Sequence, residues 1–239
     1  MVGREGAAAV ELDSGTKEPF VLATGTLTRE AAVEYRRGVE AIGSDDAGAA
    51  LASFEEMVRL ESGNPETWRR RGNFHRRSRG DAEKALEDYG EALSLEKDHP
   101  DSLQARSGIC MERGDYEAAI KDCTSLIRLG SRVRASYLRR ARIYFMQGEF
   151  EEAAADCGEV IRLQPDDPEA WFLRAGIFAR QGDHEKAVSD YGKVIELSPG
   201  DAEAYLQRSL AFRKQGDNEA AESDYSRSLE LVQEGPEPA

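Results

Sequence analysis

The segment Trp171-Phe172-Leu173-Arg174-Ala175 begins a sequence motif whose repetition indicates the fold of this chain. The same order of an aromatic residue, an arginine and a small residue begins at Tyr137 and at Tyr205, so successive motifs start 34 residues apart. Each motif is followed by a turn such as Gly182-Asp183 and then by a second aromatic residue or a cysteine. A fixed period of this length is typical of solenoids, in which each repeat packs only on its neighbours.

The repeat extends over most of the sequence, and six units fit it. They span 31-64, 65-99, 100-133, 134-167, 168-201 and 202-235. In the fifth unit the pattern is carried by Trp171, Ala175, Phe178, Gly182, Asp183, Ala187, Tyr191, Val194, Leu197 and Pro199. At these offsets the chain resembles the tetratricopeptide repeat (TPR) family. The resemblance implies an all-α fold, a right-handed superhelical solenoid of antiparallel helix pairs.

The spacing within one unit predicts two helices. Trp171, Ala175 and Phe178 stand at i, i+4 and i+7, which places them on one helix face, and the second half of the unit has the same spacing. Gly182 suits the left-handed residue that ends a helix, and Asp183 suits the N-cap of the next one. Each unit is therefore expected to be a helix, a tight turn and a second helix.

The first residues of the chain do not share the period. Residues 1-27 are predicted to be a flexible tail, because they are rich in glycine, alanine and threonine and lack helical periodicity. An alternative is that Pro19 to Leu22 lie extended along the groove or the first unit. The array is expected to occupy 28-235 as a single domain, with 236-239 as a short C-terminal tail.

The last unit ends without the polar capping helix that the family commonly adds. Ser209 and Ser228 stand at positions that are usually apolar or small, which favours a solvated outer face for the last unit. Self-association through this uncapped C-terminal repeat and continuation in a longer protein remain open alternatives.

Composition narrows the class of function. The chain has 239 residues and a formal net charge of -14, so a nucleic-acid partner bound by bulk charge is not expected. No apolar stretch is long enough for a membrane span, and residues 1-10 lack the pattern of an export signal. The expected location is therefore cytoplasmic, with the nucleus as an alternative.

Chemistry at a catalytic or metal site is not expected. Cys110, Cys123 and Cys157 stand where the repeat requires an apolar residue, so they are predicted to be buried thiols. A redox bond between Cys110 and Cys123 is the alternative, because their helices face each other. The sequence has no catalytic motif and no cysteine-histidine cluster, so we predict no enzyme activity, no metal and no cofactor.

The resemblance also implies where a partner would bind. In the TPR family, particular positions of each first helix point into a concave groove. The positions that we carry over as a peptide-binding groove are Arg69, Arg70, Asn73, Arg76, Arg77, Leu138, Arg139, Arg142, Phe145, Met146, Phe172, Leu173, Leu206 and Gln207. Arginine suits bidentate recognition of carboxylates, and the apolar members suit side-chain pockets.

These residues predict a protein-protein interaction scaffold or adaptor whose ligand is a peptide with acidic and apolar side chains. A co-chaperone-like adaptor is less well matched, because the family's carboxylate clamp would need amide and lysine side chains where Ala105 and Ala135 stand. The alternatives are a regulatory array of a larger enzyme or complex, and a phosphate or RNA binder that uses the arginine clusters. Replacing Arg139 and Arg142 by glutamate is expected to abolish partner capture without a loss of helicity.

The second helices carry an unusual set of glycines. Gly90, Gly158 and Gly192 occupy equivalent positions of three units, although a glycine inside a helix costs about 1 kcal/mol relative to alanine. Shared descent of duplicated units is one explanation. Close approach of a partner's backbone on the convex face is the other.

Overall fold

The computed structural model describes residues 27–78 and 80–234. This part of the chain is all-helical, with twelve α-helices and no strand, as the repeat predicts. The helices are α1 (Arg29–Gly43), α2 (Ala47–Leu60), α3 (Pro65–Ser78), α4 (Ala82–Leu95), α5 (Pro100–Glu112), α6 (Tyr116–Arg128), α7 (Val133–Gln147), α8 (Phe150–Leu163), α9 (Pro168–Gln181), α10 (His184–Leu197), α11 (Ala202–Gln215) and α12 (Asn218–Glu234).

The chain divides into two compact units, Met1–Ser102 and Leu103–Ala239, with the boundary in the first turn of α5. We call them the N-terminal unit and the C-terminal unit. In the N-terminal unit, α1 packs on α2, α2 on α3, and α3 on α4. In the C-terminal unit the helices from α6 to α12 pack consecutively in the same way. The tail of residues 1-27 lies, apart from Leu27, outside the described residues, as does the alternative that involves Pro19 to Leu22.

The turns between the two helices of a repeat contain the helix-ending glycine and the N-cap residue that the sequence predicts. Gly148, Gly182 and Gly216 end their helices with φ of 81°, 89° and 89°, a left-handed conformation that only glycine adopts without strain. The carboxylate of Asp183 then accepts a hydrogen bond from the backbone N–H of Lys186, which caps α10. In each of these three helix pairs, a glycine therefore ends the first helix.

Small residues allow the two helices of a pair to approach closely. In the N-terminal unit, a Cβ added at Gly72 would lie 2.8 Å from Cε1 of Tyr89. In the C-terminal unit, Ala175 and Ala187 are fully buried against Tyr191. The aromatic residue of the second helix thus fills the space that a small residue of the first helix leaves.

An ion pair links the two helices in five of the pairs. An arginine of the first helix binds a buried aspartate of the second helix with two nitrogen atoms in the pairs Arg71–Asp88, Arg106–Asp122, Arg140–Asp156, Arg174–Asp190 and Arg208–Asp224. The guanidinium of Arg174 also lies 4.8 Å above the ring of Trp171. The pKa of Arg140 is raised, first by its hydrogen bond to Asp156. This bidentate geometry fixes the register between the helices.

The three cysteines are free and buried, as predicted. Burial raises the pKa of the Cys123 thiol to about 11 and that of the Cys157 thiol to about 12. Both thiols are therefore protonated near neutral pH and behave as small apolar side chains.

The interpretation of Ser209 and Ser228 as signs of a solvated face is wrong. Ser209 is fully buried and Ser228 is 4% exposed. Each hydroxyl donates to a carbonyl three residues earlier in its own helix, Leu206 for Ser209 and Tyr225 for Ser228. A serine that satisfies its hydroxyl within the helix can be buried at a small-residue position.

Two of the three glycines of the second helices, Gly158 and Gly192, lie beside arginines, whereas nothing lies within 4 Å of a Cβ added at Gly90. A Cβ at Gly158 would lie 3.9 Å from Nη1 of Arg174, and one at Gly192 would lie 3.5 Å from Nη1 of Arg208. The equivalent residue Thr124 accepts a hydrogen bond of 2.8 Å from Nη1 of Arg140. In the C-terminal unit the small residue therefore lies beside the guanidinium of the following helix pair, a contact that neither of the two expected explanations included.

Candidate partner-binding surface

In the N-terminal unit, the predicted groove residues at the start of α3 are held by other residues of the protein. Glu66 accepts hydrogen bonds from Arg69 at 2.6 Å and from Arg70 at 2.8 Å. Burial alone would raise the pKa of Glu66, but the hydrogen bond and charge of Arg69, with those of Arg70, lower it. The amide oxygen of Asn73 accepts a hydrogen bond of 2.7 Å from the hydroxyl of Tyr89.

The two arginines at the end of α3 are placed differently. Arg76 and Arg77 are exposed, and neither makes an ion pair with the described residues. Their charge in the last turn also stabilises the negative end of the helix dipole. Of the five groove residues predicted in this unit, these two can bind an external carboxylate at no cost to an existing pair.

In the C-terminal unit, two predicted groove residues have structural contacts instead. Leu138 is only 2% exposed and packs with Val160 and Ala170, so it lies in the core and not on the surface. Arg139 donates hydrogen bonds to the carbonyl of Gln104 at 3.1 Å and to Oγ of Ser107 at 2.7 Å. A glutamate at this position would lose both bonds, so the expected variant would also perturb the packing of α7 on α5.

Arg142 has a surface position and a partner on the next first helix. Its guanidinium and that of Arg134 both donate to the carboxylate of Glu169. Burial would raise the pKa of Glu169, but the hydrogen bonds from Arg142 and Arg134 lower it. Since Arg134 also binds Asp167, two arginines balance two carboxylates in this network, and Glu169 keeps one arginine partner if Arg142 turns to a ligand. Arg142 is 44% exposed at its side chain and can be shared with a ligand.

An apolar strip borders this arginine. Met146 on α7 and Leu210 on α11 are 57% and 43% exposed. The other members are half-buried, namely Phe145, Phe172, Leu173 and Leu206. Arg180 is exposed on α9, and its guanidinium lies 6.0 Å from the ring of Phe145. These residues lie on neighbouring helices, because α9 contacts both α7 and α11, and we call the set the α7–α9–α11 surface.

Gln207 follows Leu206 on α11. Its side-chain amide donates a hydrogen bond of 2.7 Å to Glu203, one turn earlier on α11. The pair is exposed to half-buried, so it can rearrange without loss of core packing.

In the N-terminal unit, a histidine lies between a carboxylate and a serine hydroxyl, as in a catalytic triad. Nδ1 of His99 lies 2.9 Å from Oγ of Ser102, and its Nε2 lies 3.9 Å from Glu66. Ser102 is fully buried, however, and His99 also accepts from the backbone N–H of Ser102 at 3.3 Å. The contact is a cap at the start of α5, and no substrate can reach the hydroxyl. The described residues contain no group of three metal-binding side chains.

The aspartates of the five ion pairs are not among the residues predicted from the sequence, although their positions in the repeat could have indicated them. Each one directly precedes the aromatic residue or cysteine of the second helix, as in Asp156-Cys157 and Asp190-Tyr191. An acidic residue at a buried helix position, at the same place in five repeats, predicts a buried cationic partner. The arginine of the opening phrase, such as Arg174, is the cation that recurs with it.

The fold defines a class, namely proteins built from tandem antiparallel helix pairs that pack on their neighbours. The tetratricopeptide repeat model matches residues 75–133, 111–168, 138–202 and 186–237. These matches together cover more than half of the chain, so the protein belongs to the TPR family. No curated protein matches the chain. The described part contains no helix with the length and apolar character that crossing a membrane requires.

Solved structures share the fold at low sequence identity. A TPR protein from Parabacteroides merdae is 20% identical, with a TM-score of 0.72 over 89% of this chain and 82% of that one. The C-terminal part of a TPR protein from Cytophaga hutchinsonii is 19% identical, with a TM-score of 0.72 over 84% and 80%. YrrB, described as a TPR protein with an unusual peptide-binding site, is 18% identical, with a TM-score of 0.64 over 75% and 92%.

Proposed function

We propose that this protein is an adaptor that binds an extended segment of a partner protein on the α7–α9–α11 surface. The observation that carries the proposal is the exposure of Met146, one turn after Arg142 on α7, and of Leu210 on α11, which contacts the helix that carries Arg180. A solvated helix face would have polar side chains at these places, whereas an apolar strip with cations beside it is typical of a binding surface. The segment would present apolar and acidic side chains.

The N-terminal unit, taken by itself, offers a separate candidate contact for a partner. Arg76 and Arg77 supply exposed positive charge there. Arg69 and Arg70 are instead paired with Glu66 within α3, and Asn73 accepts the hydroxyl of Tyr89 on α4. A cytoplasmic location, as the sequence predicts, belongs to the proposal too. That a TPR protein of similar fold, YrrB, is described with a peptide-binding site is consistent with it.

Selection from a library tests the proposal without knowledge of the partner. Short random peptides displayed on phage are selected on the full chain, and the enriched peptides are synthesised for calorimetry. We expect enriched sequences in which apolar residues alternate with aspartate or glutamate. Replacing Arg142 and Arg180 by glutamate should weaken these peptides at least about tenfold, because it reverses two charges at the surface.

A control variant distinguishes a loss of binding at the surface from an effect of net charge. Arg162 on α8 and Lys193 on α10 are exposed and lie on second helices, so reversing both of them changes the net charge by the same amount. We expect this control to bind as the wild type does. Equal weakening in both variants, or an unchanged affinity after reversal of Arg142 and Arg180, would contradict the proposal. Binding of a uridine oligonucleotide that only the first variant loses would instead favour the phosphate or RNA alternative.

A further inference from the structure

A notch on α9 opens onto the hydroxyl of a tyrosine whose ring is buried. Tyr191 on α10 is 2% exposed, and its ring packs edge-on against Phe172 at a centroid distance of 5.4 Å. Its hydroxyl makes no hydrogen bond with the residues that the structure describes. The ring is thus held in place by packing, while its hydroxyl is available to donate a hydrogen bond to a ligand.

Gly176 forms the opening. A Cβ at this glycine would lie 3.6 Å from Oη of Tyr191, so the missing side chain leaves space directly above the hydroxyl. Among the described residues, buried side-chain nitrogen or oxygen atoms without a hydrogen bond occur only as Nδ1 of His75 and of His184. Oη of Tyr191 is not one of them, and it therefore reaches the surface through the notch.

The N-terminal unit shows how the same position is filled when the protein supplies the partner. Asn73 and Tyr89 occupy the places in their helix pair that Gly176 and Tyr191 occupy in theirs. The amide oxygen of Asn73 accepts the hydroxyl of Tyr89 at 2.7 Å. An uncharged carbonyl oxygen is thus a suitable acceptor at this site, and the C-terminal unit has the phenol without that oxygen.

The surroundings of the notch match a peptide. Phe172 and Leu173 precede Gly176 by about one turn, and Arg180 follows it by one turn, so all three lie on the same part of the α7–α9–α11 surface. Glu203 on α11 is close enough for its charge to raise the pKa of Tyr191, which burial mainly raises to about 12. The phenol therefore remains a donor, and the negative charge of Glu203 disfavours an anionic acceptor.

We propose that the notch at Gly176 receives a backbone carbonyl of the partner segment, which accepts a hydrogen bond from the hydroxyl of Tyr191. This inference rests on the proposed function and gives the segment a fixed register. The carbonyl enters the notch, an apolar side chain contacts Phe172 and Leu173, and an acidic side chain reaches Arg180. A carbonyl suits the site because it replaces the amide oxygen that Asn73 supplies in the other unit.

Two substitutions test the notch with the peptides that the library selects. Tyr191→Phe removes only the hydroxyl, and we expect it to weaken peptide binding about three- to tenfold. Gly176→Asn supplies an internal acceptor and fills the notch, so it should weaken binding more than tenfold while the unfolding midpoint in urea stays the same or rises. Gly158→Asn is the matched control, because it places the same residue on α8, outside the surface.

The outcomes separate the notch from the proposed function. Peptides that are weakened by reversal of Arg142 and Arg180 but bind Tyr191→Phe as tightly as the wild type would overturn the notch and leave the adaptor function in place. Equal weakening by Gly176→Asn and Gly158→Asn would overturn it too. A selection that enriches no peptide would contradict both proposals. A crystal structure with an enriched peptide should show a carbonyl oxygen within hydrogen-bond distance of Tyr191 Oη.

Discussion

At the scale of single residues, glycine has two different roles inside the helices of this chain. At Gly72 an added Cβ would lie 2.8 Å from Cε1 of Tyr89 and 3.2 Å from Cβ of Asp88. At Gly90, on the partner helix of the same pair, the place of the Cβ is surrounded by open space. Packing therefore requires the first glycine, whereas the second only makes the unfolded chain more flexible.

We predict that alanine at these two positions has opposite effects. Gly72→Ala should lower the free energy of unfolding by about 1 to 3 kcal/mol, because the methyl group must displace the ring of Tyr89. Gly90→Ala should raise it by about 0.5 to 1 kcal/mol, because alanine has the higher helix propensity. Urea unfolding followed by circular dichroism measures both changes. Shifts in the same direction would show that packing does not distinguish the two sites.

Residues whose role is set by near neighbours could be predicted from the sequence. Gly182 and Asp183 have the conformation and the cap that their turn predicts, because both depend on a few adjacent residues. For Leu138 and Arg139, the position in the repeat predicts a place in the groove. Their actual contacts depend on which side chains the adjoining helices present, and that information does not lie within one repeat.

At the scale of helices, the buried Arg–Asp pair joins the two halves of a repeat. The side chain of Asp156 on α8 is 8% exposed and that of Arg140 on α7 is 17% exposed. The same helix α8 carries Glu159, which is 43% exposed and pairs with Arg162 one turn away. The two carboxylates have similar partners but very different solvent access. This difference determines how much each ion pair contributes to the free energy of unfolding.

We predict that Asp156→Ala and Glu159→Ala differ strongly in stability. Asp156→Ala leaves the guanidinium of Arg140 largely buried without its counter-ion and should lower the free energy of unfolding by about 3 kcal/mol. Glu159→Ala removes an exposed pair and should change it by less than about 0.5 kcal/mol. Thermal unfolding of both variants at one pH and salt concentration provides the comparison. A small loss for Asp156→Ala would mean that the pair fixes register without adding stability.

At the scale of the whole molecule, the two compact units differ in how many of these pairs they hold. Within the described residues, the N-terminal unit has one such pair, Arg71–Asp88. The ion pairs of its first helix pair, Arg37–Glu34 and Arg59–Glu56, each lie within one helix and do not link the two helices. The C-terminal unit has four such pairs. In a repeat protein the stability of a region is close to the sum of its local and nearest-neighbour terms, so the N-terminal unit should be the weaker.

The two tryptophans of the chain report on the units separately. Trp68 belongs to the N-terminal unit and Trp171 to the C-terminal unit. Their indoles have matching environments, because each N–H donates a 2.8 Å hydrogen bond to a carbonyl six residues earlier. An arginine also lies over each ring, at 4.9 Å in one case and 4.8 Å in the other. Differences between their unfolding curves would therefore reflect the units and not the probes.

We predict that the fluorescence of Trp68, followed in the Trp171→Phe variant, changes at a lower urea concentration than that of Trp171 in the Trp68→Phe variant. The difference should be about 1 M, because a few kcal/mol separate the units and the dependence on urea is roughly 1 to 3 kcal/mol per molar. Since each variant loses an equivalent indole, the cost of the substitution is matched. Coincident transitions would mean that the array unfolds as one cooperative body, in which case the extra ion pairs of the C-terminal unit would stabilise both units alike.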